Sequence, residues 1–272
     1  MKGKRILITG VAGSIGSELA RQLCKKNKVY GVDINESGLF DIMQELGISG
    51  RVGNVKDQNT VRDVFSDFKP QVVFMAAAYK HVSLMEQVPE EGVKTNVFGT
   101  HNVLHYSKVY PVEKFVFIST DKAIGGTTMG ATKRLGEIMT RNSGKGFVVV
   151  RFGNVLGSRG SLMTIWQRQL DQGKPLTITD GRMERYMMTI EEACELVITA
   201  AEQGRGGETY VLDMGEKHNI LGLAKEILGK IGKPDYPIQE IGIRPGEQLS
   251  EKLMFEEEEA RAVKQGKFFI IK

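Results

Sequence analysis

The sequence predicts an α/β protein built on a doubly wound parallel sheet, with a smaller α/β unit in its C-terminal part. Short, almost continuously apolar runs alternate with stretches of helical length and periodicity. Runs of this kind are typical of parallel strands that helices cover on both faces. A glycine-rich turn directly follows the first run. The length of 272 residues suits one large domain or two unequal ones.

The first part of the chain supplies the predicted sheet. Its strands are expected at the apolar runs 5–8, 29–32, 72–75, 115–118 and 147–150. The helices between them are expected near 14–26, 36–46, 58–68, 87–109 and 128–142. Residues 1–157 therefore form a dinucleotide-binding (Rossmann) domain in this prediction.

The second part has a different rhythm. We expect a helix at about 161–172, a short strand at 176–179, and a helix that begins at Thr189, where Glu192 completes a capping box. The run 208–212 is expected to return to the sheet, so we assign 188–215 to the first domain. The rest of 158–272 forms a smaller unit, which we assign to substrate binding.

Composition excludes several classes of protein. Lys and Arg number 37 against 33 Asp and Glu, and no dense basic run suggests nucleic acid as a partner. The longest apolar runs are far shorter than the ~20 residues that span a bilayer, and no signal-peptide core follows the basic N-terminus. We therefore expect a cytoplasmic protein without a membrane span. Cys24 and Cys194 lie far apart in helical patterns, which predicts buried thiols and neither a disulfide nor a metal site.

The glycine-rich turn predicts a phosphate site. It lies between the first strand and the first helix, where free backbone N–H groups and the positive end of the helix dipole face a pyrophosphate. The alternative is a tight turn that binds nothing. The residues expected to contact the cofactor here are Gly10, Ala12, Gly13, Ser14, Ile15 and Gly16.

The end of the second strand predicts the nature of the dinucleotide. Asp33 lies there, seventeen residues after Gly16, and a carboxylate at that place accepts both adenosine ribose hydroxyls and repels a 2′-phosphate. This favours NAD over NADP. Asp33 has the alternative role of capping the next helix together with Asn35. Other expected contacts on the adenosine side are Ile34, Asn35, Asn54 and Val55.

Several later strings resemble one family. They are 76–82, 119–123, 129–134, 151–161 and 244–247. Together they are similar to the extended short-chain dehydrogenases/reductases, and within these to the polysaccharide-biosynthesis (CapD-like) UDP-N-acetylglucosamine 4,6-dehydratases. The resemblance runs from about residue 5 to 271. It implies that hydride passes from C4 of the sugar to a tightly held nicotinamide cofactor, that water is eliminated across C5 and C6, and that the hydride returns to C6.

The resemblance also assigns the catalytic pair. Elimination needs a base near C5 and an acid for the C6 hydroxyl. By resemblance Asp121 is the acid, Lys122 the base, and Thr120 a donor to the C4 oxygen. These roles require a raised pKa for Asp121 and a lowered one for Lys122. The alternative is an exposed ion pair at a strand end.

One position departs from the pattern of the wider superfamily. Met129 occupies the tyrosine position of Tyr-x-x-x-Lys, while Lys133, four residues later, keeps the lysine. A thioether cannot take the C4 hydroxyl proton. That role then falls to Lys122, to Asp121, or to water held by Thr120 and Lys133. In the family, methionine here is chiefly a feature of members that retain the C5 configuration, so we expect retention.

The remaining expected contacts also follow from the resemblance. Those to the cofactor are Ala76, Ala77, Ala78, Lys80, Thr95, Ser119 and Lys133. Those to the UDP-sugar are Lys80, Thr120, Asn154, Val155, Arg159, Gly160, Ser161, Leu176, Thr177, Arg244 and Glu247. Leu176 and Thr177 are expected to offer backbone groups to uracil. Arg185 is equally compatible with phosphate binding and with a salt bridge.

The sequence leaves rival functions open. A dehydratase that inverts C5 and a UDP-sugar C4 epimerase are related alternatives, and a non-catalytic sensor of NAD and UDP-sugar is one of another class. The helices near 87–109 and 128–142 are expected to form the interface of a homodimer or larger oligomer.

Overall fold

The computed structural model describes residues 1–272 and contains fourteen strands. They are β1 (Arg5–Thr9), β2 (Lys28–Asp33), β3 (Ser49–Val52), β4 (Val72–Met75), β5 (Lys114–Thr120), β6 (Phe147–Phe152), β7 (Asn154–Val155), β8 (Leu176–Ile178), β9 (Glu184–Met188), β10 (Thr209–Leu212), β11 (Lys217–Asn219), β12 (Ile238–Glu240), β13 (Val263–Gln265) and β14 (Phe268–Ile271).

The strands alternate with eleven α-helices. They are α1 (Ser14–Cys24), α2 (Glu36–Leu46), α3 (Gln58–Phe68), α4 (Val82–Gln87), α5 (Pro89–Gly92), α6 (Thr100–Val109), α7 (Thr128–Arg141), α8 (Leu162–Asp171), α9 (Ile190–Gln203), α10 (Ile220–Lys230) and α11 (Glu256–Glu259). A π-helix covers Val93–Gly99 and a 3-10 turn covers Asp121–Ile124. No helix combines the length and the apolar character needed to cross a bilayer.

The central sheet has nine strands in the order β13-β14-β10-β6-β5-β4-β1-β2-β3. The seven from β10 to β3 run parallel to one another. The strand order reverses beside β1, and ligands of doubly wound sheets bind at the carboxyl ends of the strands near such a reversal. The fold class predicted from the sequence is confirmed.

Apolar side chains of the strands pack on both faces of the sheet. Ile6 and Val148 belong to the cluster on one face, and Leu7 and Phe117 to the cluster on the other. A third, smaller core surrounds Trp166 between α8, β8 and α10. The near-continuous apolar runs of the sequence reflect this burial on both faces.

Three elements differ from the prediction. The helix expected over 87–109 is interrupted, because Pro89 lacks a backbone N–H and begins a new helix, α5. Residues 154 and 155, expected at the end of the sixth strand, form the separate strand β7 and pair with β9. The end of the chain, assigned to the smaller unit, instead adds β14 and β13 to the main sheet, where buried Ile271 pairs with Thr209.

Candidate active site

A cleft of about 690 Å³ opens at the carboxyl ends of β1, β4, β5 and β6. Its other wall comes from the segments that follow β6 and β12. Most of the residues expected from the sequence line it: Gly10, Gly13, Ser14, Ile15, Gly16, Ala76, Ala78, Lys80, Ser119, Thr120, Asp121, Lys122, Met129, Lys133, Asn154, Val155, Arg159, Gly160, Ser161, Thr177, Arg244 and Glu247. The structure therefore brings these distant segments together.

The other expected residues do not line the cleft: Ala12, Asp33, Ile34, Asn35, Asn54, Val55, Ala77, Thr95 and Leu176. Leu176 is fully buried in the third core. Asn54 accepts a hydrogen bond from the backbone N–H of Lys56 at 2.9 Å. Val55 is buried, whereas Ile34 is exposed. The positions assigned to the adenosine end thus lie beyond the cleft itself.

Asp33 braces the glycine-rich turn. Its carboxylate accepts hydrogen bonds from the backbone N–H of Ala12 and of Asn35, both at 2.9 Å. The cap of α2 is Asn35, whose side chain accepts from Gly38 N at 3.1 Å. The alternative capping role therefore belongs to Asn35, and Asp33 fixes the loop at the end of β2.

The glycine-rich turn packs too closely for side chains. Gly10 has φ +69°, and a Cβ there would lie 2.7 Å from Ala77 N. A Cβ on Gly16 would lie 2.1 Å from the carbonyl oxygen of Gly10. Gly13 precedes α1 without a side-chain cap, so the first N–H groups of this helix remain for a ligand. These features fit the pyrophosphate of a dinucleotide.

A buried hydroxyl adds to this fit. Thr95 lies in the π-helix, is 8% exposed, and its Oγ1 has no hydrogen-bond partner. A buried hydroxyl without a partner costs free energy unless a ligand or water satisfies it. Thr95 is one of the residues expected to contact the cofactor, although it does not line the cleft.

Lys122 is the centre of the candidate catalytic cluster, a group of hydrogen-bonded side chains around Asp121. Its Nζ donates to Asp121 Oδ1 at 3.0 Å, to Asn154 Oδ1 at 2.9 Å and to Glu251 Oε2 at 2.9 Å. Thr120 ends β5, and its hydroxyl donates to the same Asp121 oxygen at 2.8 Å. Asp121 Oδ2 is buried and has no partner. One carboxylate oxygen thus accepts from Thr120 and Lys122, while the other is buried without a hydrogen bond.

The charges of the cluster shift its pKa values against the sequence prediction. Burial alone would raise the pKa of Asp121, but the charge of Lys122, the neighbouring Glu251 carboxyl and the hydrogen bonds from Thr120 and Lys122 lower it. Burial alone would lower the pKa of Lys122, but the charges of Asp121 and Glu251 raise it. The raised acid and lowered base required by the predicted roles are therefore not found, because the two groups stabilise each other's charged form.

The pKa of Glu251 is raised, in contrast to that of Asp121, and no sequence motif predicted Glu251 as a site residue. Burial raises the pKa of Glu251 to about 7, against the charge of Lys122, and the neighbouring Asp121 carboxylate adds to the increase. The Glu251 side chain also forms an ion pair with Arg185 at 3.4 Å. The salt-bridge interpretation of Arg185 is thus the one seen. No local pattern in the sequence marks Glu251, because it lies in a segment outside the helices and strands.

Helix α7 brings Met129 and Lys133 to the floor of the cleft. Thr127 caps this helix by accepting from Gly130 N at 3.0 Å. Met129 is buried. Lys133 donates to the carbonyl oxygen of Ile118 and lies 4.1 Å from the centre of the Phe117 ring. Because the amine is buried, its pKa is lowered to about 7.

Ser119 lines the cleft, but its hydroxyl already has a partner. Its hydroxyl donates to Glu137 Oε1 at 2.6 Å, inside the buried part of α7. Glu137 in turn binds the guanidinium of Arg151. The expected role of Ser119 toward a cofactor therefore competes with an existing hydrogen bond.

The wall of the cleft formed by the segments after β6 and β12 presents groups suited to phosphates. Ser161 occupies the N-cap position of α8, but its side chain forms no capping hydrogen bond. Its Oγ is buried and has no hydrogen-bond partner. The backbone N–H of Arg159 donates to Ser14 Oγ at 3.0 Å, which links this loop to the glycine-rich turn. Arg244 and Glu247 lie 3.9 Å apart as a loose ion pair.

The backbone groups expected to face uracil already have partners. The N–H of Thr177 donates to Gln169 Oε1 at 3.0 Å, and its carbonyl accepts from Trp166 Nε1 at 2.9 Å. The neighbouring Leu176 N–H donates to Pro237 O within the pairing of β8 and β12. Recognition of a base through these backbone groups is therefore not supported. No group of three or more His, Cys, Asp or Glu side chains is arranged to hold a metal ion.

Nearly the whole chain is similar to known proteins. Residues 6–272 match a protein-family model described as "Polysaccharide biosynthesis protein". The capsular polysaccharide biosynthesis protein CapD of Staphylococcus aureus is 44% identical over 274 residues, which are 93% of this chain and 45% of that protein. The chain thus spans less than half the length of this relative.

Two solved structures are similar in fold. Pen from Bacillus thuringiensis matches with a TM-score of 0.92 and 34% identity, over 99% of this chain and 88% of that chain. The UDP-glucose 4-epimerase of Thermus thermophilus, in complex with NAD, matches with a TM-score of 0.82 and 25% identity, over 92% and 90% of the two chains.

Proposed function

The chain belongs to the polysaccharide biosynthesis protein family, and from this membership we propose that it is a nucleotide-sugar 4,6-dehydratase that acts on UDP-N-acetylglucosamine and retains the C5 configuration. The polysaccharide-biosynthesis (CapD-like) family predicted from the sequence motifs is confirmed, and the dehydratase activity is the proposal. The observation that carries the proposed activity is the cluster of Thr120, Asp121 and Lys122 at the end of β5, in a cleft that also contains the glycine-rich turn.

We propose NAD as the cofactor. The glycine-rich turn would hold its pyrophosphate and Asp33 its adenosine ribose, while Lys80, Met129 and Lys133 also line the cleft. When bound, the nicotinamide supplies a reversible hydride acceptor. Support for a nicotinamide dinucleotide comes from the epimerase of similar fold that was solved with NAD, and the carboxylate of Asp33 favours NAD over NADP.

We propose that the UDP part of the substrate lies along the other wall of the cleft. The unpartnered N-terminus of α8 at Ser161 and the guanidinium of Arg244 suit a pyrophosphate. Lys80 lines the same cleft, and Asn154 contacts the catalytic cluster directly by accepting from Lys122 Nζ at 2.9 Å. Such an arrangement would direct the sugar toward Asp121, whose Oδ2 has no protein partner.

The acid and base follow from the same cluster. Asp121 Oδ2 is the oxygen that would meet the departing C6 hydroxyl, and Lys122 would take the C5 proton. A simple C4 epimerase needs no base for C5, so the paired Asp121 and Lys122 favour dehydration. Met129 in place of tyrosine is the observation that favours retention at C5.

A labelled incubation tests the proposal. The protein is incubated with UDP-N-acetylglucosamine and NAD in deuterated water, and the product is followed by mass spectrometry and proton NMR. We expect a 4-keto-6-deoxy sugar with deuterium at C5 and unchanged C5 configuration. Asp121→Asn should abolish turnover while UDP still binds, whereas Asp171→Asn, at the exposed end of α8, should behave as the wild type.

The other outcomes identify the rival functions. Inversion at C5 would replace retention by the inverting subclass. A C4 epimer without loss of water would indicate an epimerase. Unchanged sugar with NAD and UDP bound would overturn the dehydratase proposal for this substrate and favour another UDP-sugar or the sensor.

A further inference from the structure

Glu251 reaches the catalytic cluster from a distant part of the chain. It lies in the segment after β12, 129 residues from Lys122, and is 6% exposed. Its Oε2 accepts from Lys122 Nζ at 2.9 Å, and its Oε1 lies 3.4 Å from Arg185 Nε. The charged groups that face Glu251 are Asp121 and Lys122 of the 3-10 turn and Arg185 of β9. Two carboxyl groups and two cations thus share one buried site.

A continuous chain of hydrogen bonds joins these groups. Thr120 Oγ1 donates to Asp121 Oδ1 at 2.8 Å, Lys122 Nζ donates to the same oxygen at 3.0 Å, and Lys122 Nζ also donates to Glu251 Oε2 at 2.9 Å. Two donors meet at Asp121 Oδ1, and Lys122 Nζ donates to both carboxylates, so one proton can reach Asp121 from Thr120 while another leaves Lys122 for Glu251. The chain begins at the residue expected beside the C4 oxygen and ends at Glu251.

The charge state of the cluster conflicts with its proposed roles. As the structure stands, Asp121 is a carboxylate and Lys122 an ammonium ion, so the acid lacks its proton and the base already has one. Oxidation at C4 releases the hydroxyl proton, and no tyrosine takes it because Met129 occupies that position. The proton released at C4 would make Asp121 an acid. Lys122 would become a base if it could give its own proton to another group.

We propose that Glu251 is the group that receives the proton of Lys122, so that Asp121 becomes the acid and Lys122 the base only after C4 has been oxidised. This inference rests on the proposed dehydratase activity. Glu251 does not touch the sugar in this scheme and acts through Lys122, as a positioning residue. It deepens the proposed function by explaining how Lys122 is freed of its proton when Asp121 takes the C4 proton that the missing tyrosine would have taken.

The proton balance closes over one cycle. The C4 O–H bond breaks, and its proton passes through Thr120 to the Asp121 carboxylate while Lys122 gives a proton to Glu251. Lys122 then takes the C5 proton, and Asp121 gives its proton to the C6 oxygen as the C6–O bond breaks and water leaves. Lys122 finally returns a proton to C5 and regains one from Glu251. Asp121, Lys122 and Glu251 end in their starting states.

The scheme predicts a specific pH dependence. Glu251 must be ionised at the start of the cycle to accept a proton, and its pKa is about 7. We therefore expect kcat to fall as the pH drops through about 7, since protonated Glu251 cannot accept the proton of Lys122. Because the pKa of Lys133 in the same cleft is also lowered to about 7, the limb identifies Glu251 through its loss in Glu251→Gln.

Kinetics of matched variants test the inference. Glu251→Gln keeps the size of the side chain and should lower kcat by about 10²–10⁴-fold, the usual range for acid–base groups, with a much smaller change in KM. It should also remove the limb near pH 7. Glu251→Asp should recover part of kcat together with a pH limb. Glu257→Gln, an exposed glutamate on the same segment, should match the wild type.

A second measurement does not require turnover. Infrared difference spectra recorded across a pH titration should show a protonated-carboxyl band that disappears near pH 7 in the wild type and is missing in Glu251→Gln. Absence of that band from the wild type would overturn the inference, even if the protein acts on a different substrate. Active Glu251→Gln with an unchanged pH profile would also overturn it. Failure of the wild type to dehydrate UDP-N-acetylglucosamine, with the band present, would count against the proposed function alone.

Discussion

Glu258→Gln would test how much of the stability depends on one buried ion network. Arg151 on β6 is fully buried, and its guanidinium lies 2.7 Å from Glu137 and 2.6 Å from Glu258. Arg134 also reaches Glu258, at 2.8 Å. The network ties the C-terminal segment to α7 and to the sheet. The amide of the variant keeps the size of the side chain but removes one of the two negative charges beside Arg151.

The pKa of Glu258 gives the magnitude. Burial alone would raise it, but hydrogen bonds and charge from Arg151 lower it from 4.5 to about 2. At 1.36 kcal/mol for each pH unit, this difference corresponds to about 3 kcal/mol of stability at neutral pH. Breaking a buried ion pair by removing one partner typically costs about 3–5 kcal/mol. We therefore expect Glu258→Gln to lower the free energy of unfolding by about 3 kcal/mol.

Urea denaturation of the wild type, Glu258→Gln and the exposed control Glu257→Gln would measure this loss. Because the folded-state pKa of Glu258 is lowered, its contribution is present above the unfolded-state pKa of 4.5 and is lost as the pH falls toward about 2. The difference between wild type and Glu258→Gln should therefore shrink below about pH 4. A difference under about 1 kcal/mol at neutral pH, or one that stays constant in acid, would refute the reasoning.

Three other changes give direct expectations. Gly16→Ala would place a Cβ 2.1 Å from Gly10 O, and fluorescence titration should show dinucleotide affinity reduced by about 10–100-fold; unchanged affinity would argue against a site at this turn. Asp33→Asn should weaken the preference for NAD over NADP by about tenfold in competition binding, and an unaltered ratio would remove Asp33 from that role. Phe98→Asp, at a side chain that is 58% exposed, should convert the expected dimer to a monomer in light scattering, whereas a monomeric wild type would contradict the expected oligomer.

The parts of the fold that the sequence predicts are those with local signals. The strand that precedes Gly10 and the helix that follows Gly13 lie close together in the chain, so apolar periodicity and glycine spacing identify both. The capping box at Thr189 is another local signal, and it is present in the structure. The position of β14 in the sheet has no local signal, because its pairing with β10 joins residues more than fifty positions apart in the chain.

The electrostatics of the candidate site had no local signal. The pair Asp121 and Lys122 is visible in the sequence, but the direction of their pKa shifts depends on Glu251, which lies far along the chain. Thr177 illustrates the same limit, because its backbone partners are side chains of the preceding helix α8. Motifs therefore indicated which residues meet in the cleft, while their protonation and free hydrogen-bonding groups required the three-dimensional structure.

The hydrogen bond between Arg159 and Ser14 has a consequence for how the cofactor comes and goes. It connects the loop before α8 to the turn expected to hold the pyrophosphate. We therefore expect this hydrogen bond to break when a dinucleotide is released. In an ordinary dehydrogenase this would limit the rate, because spent cofactor must be exchanged after every cycle. The proposed reaction returns its cofactor to the oxidised form each time, so a long residence time carries no kinetic penalty. We expect the protein to be purified with its dinucleotide already bound.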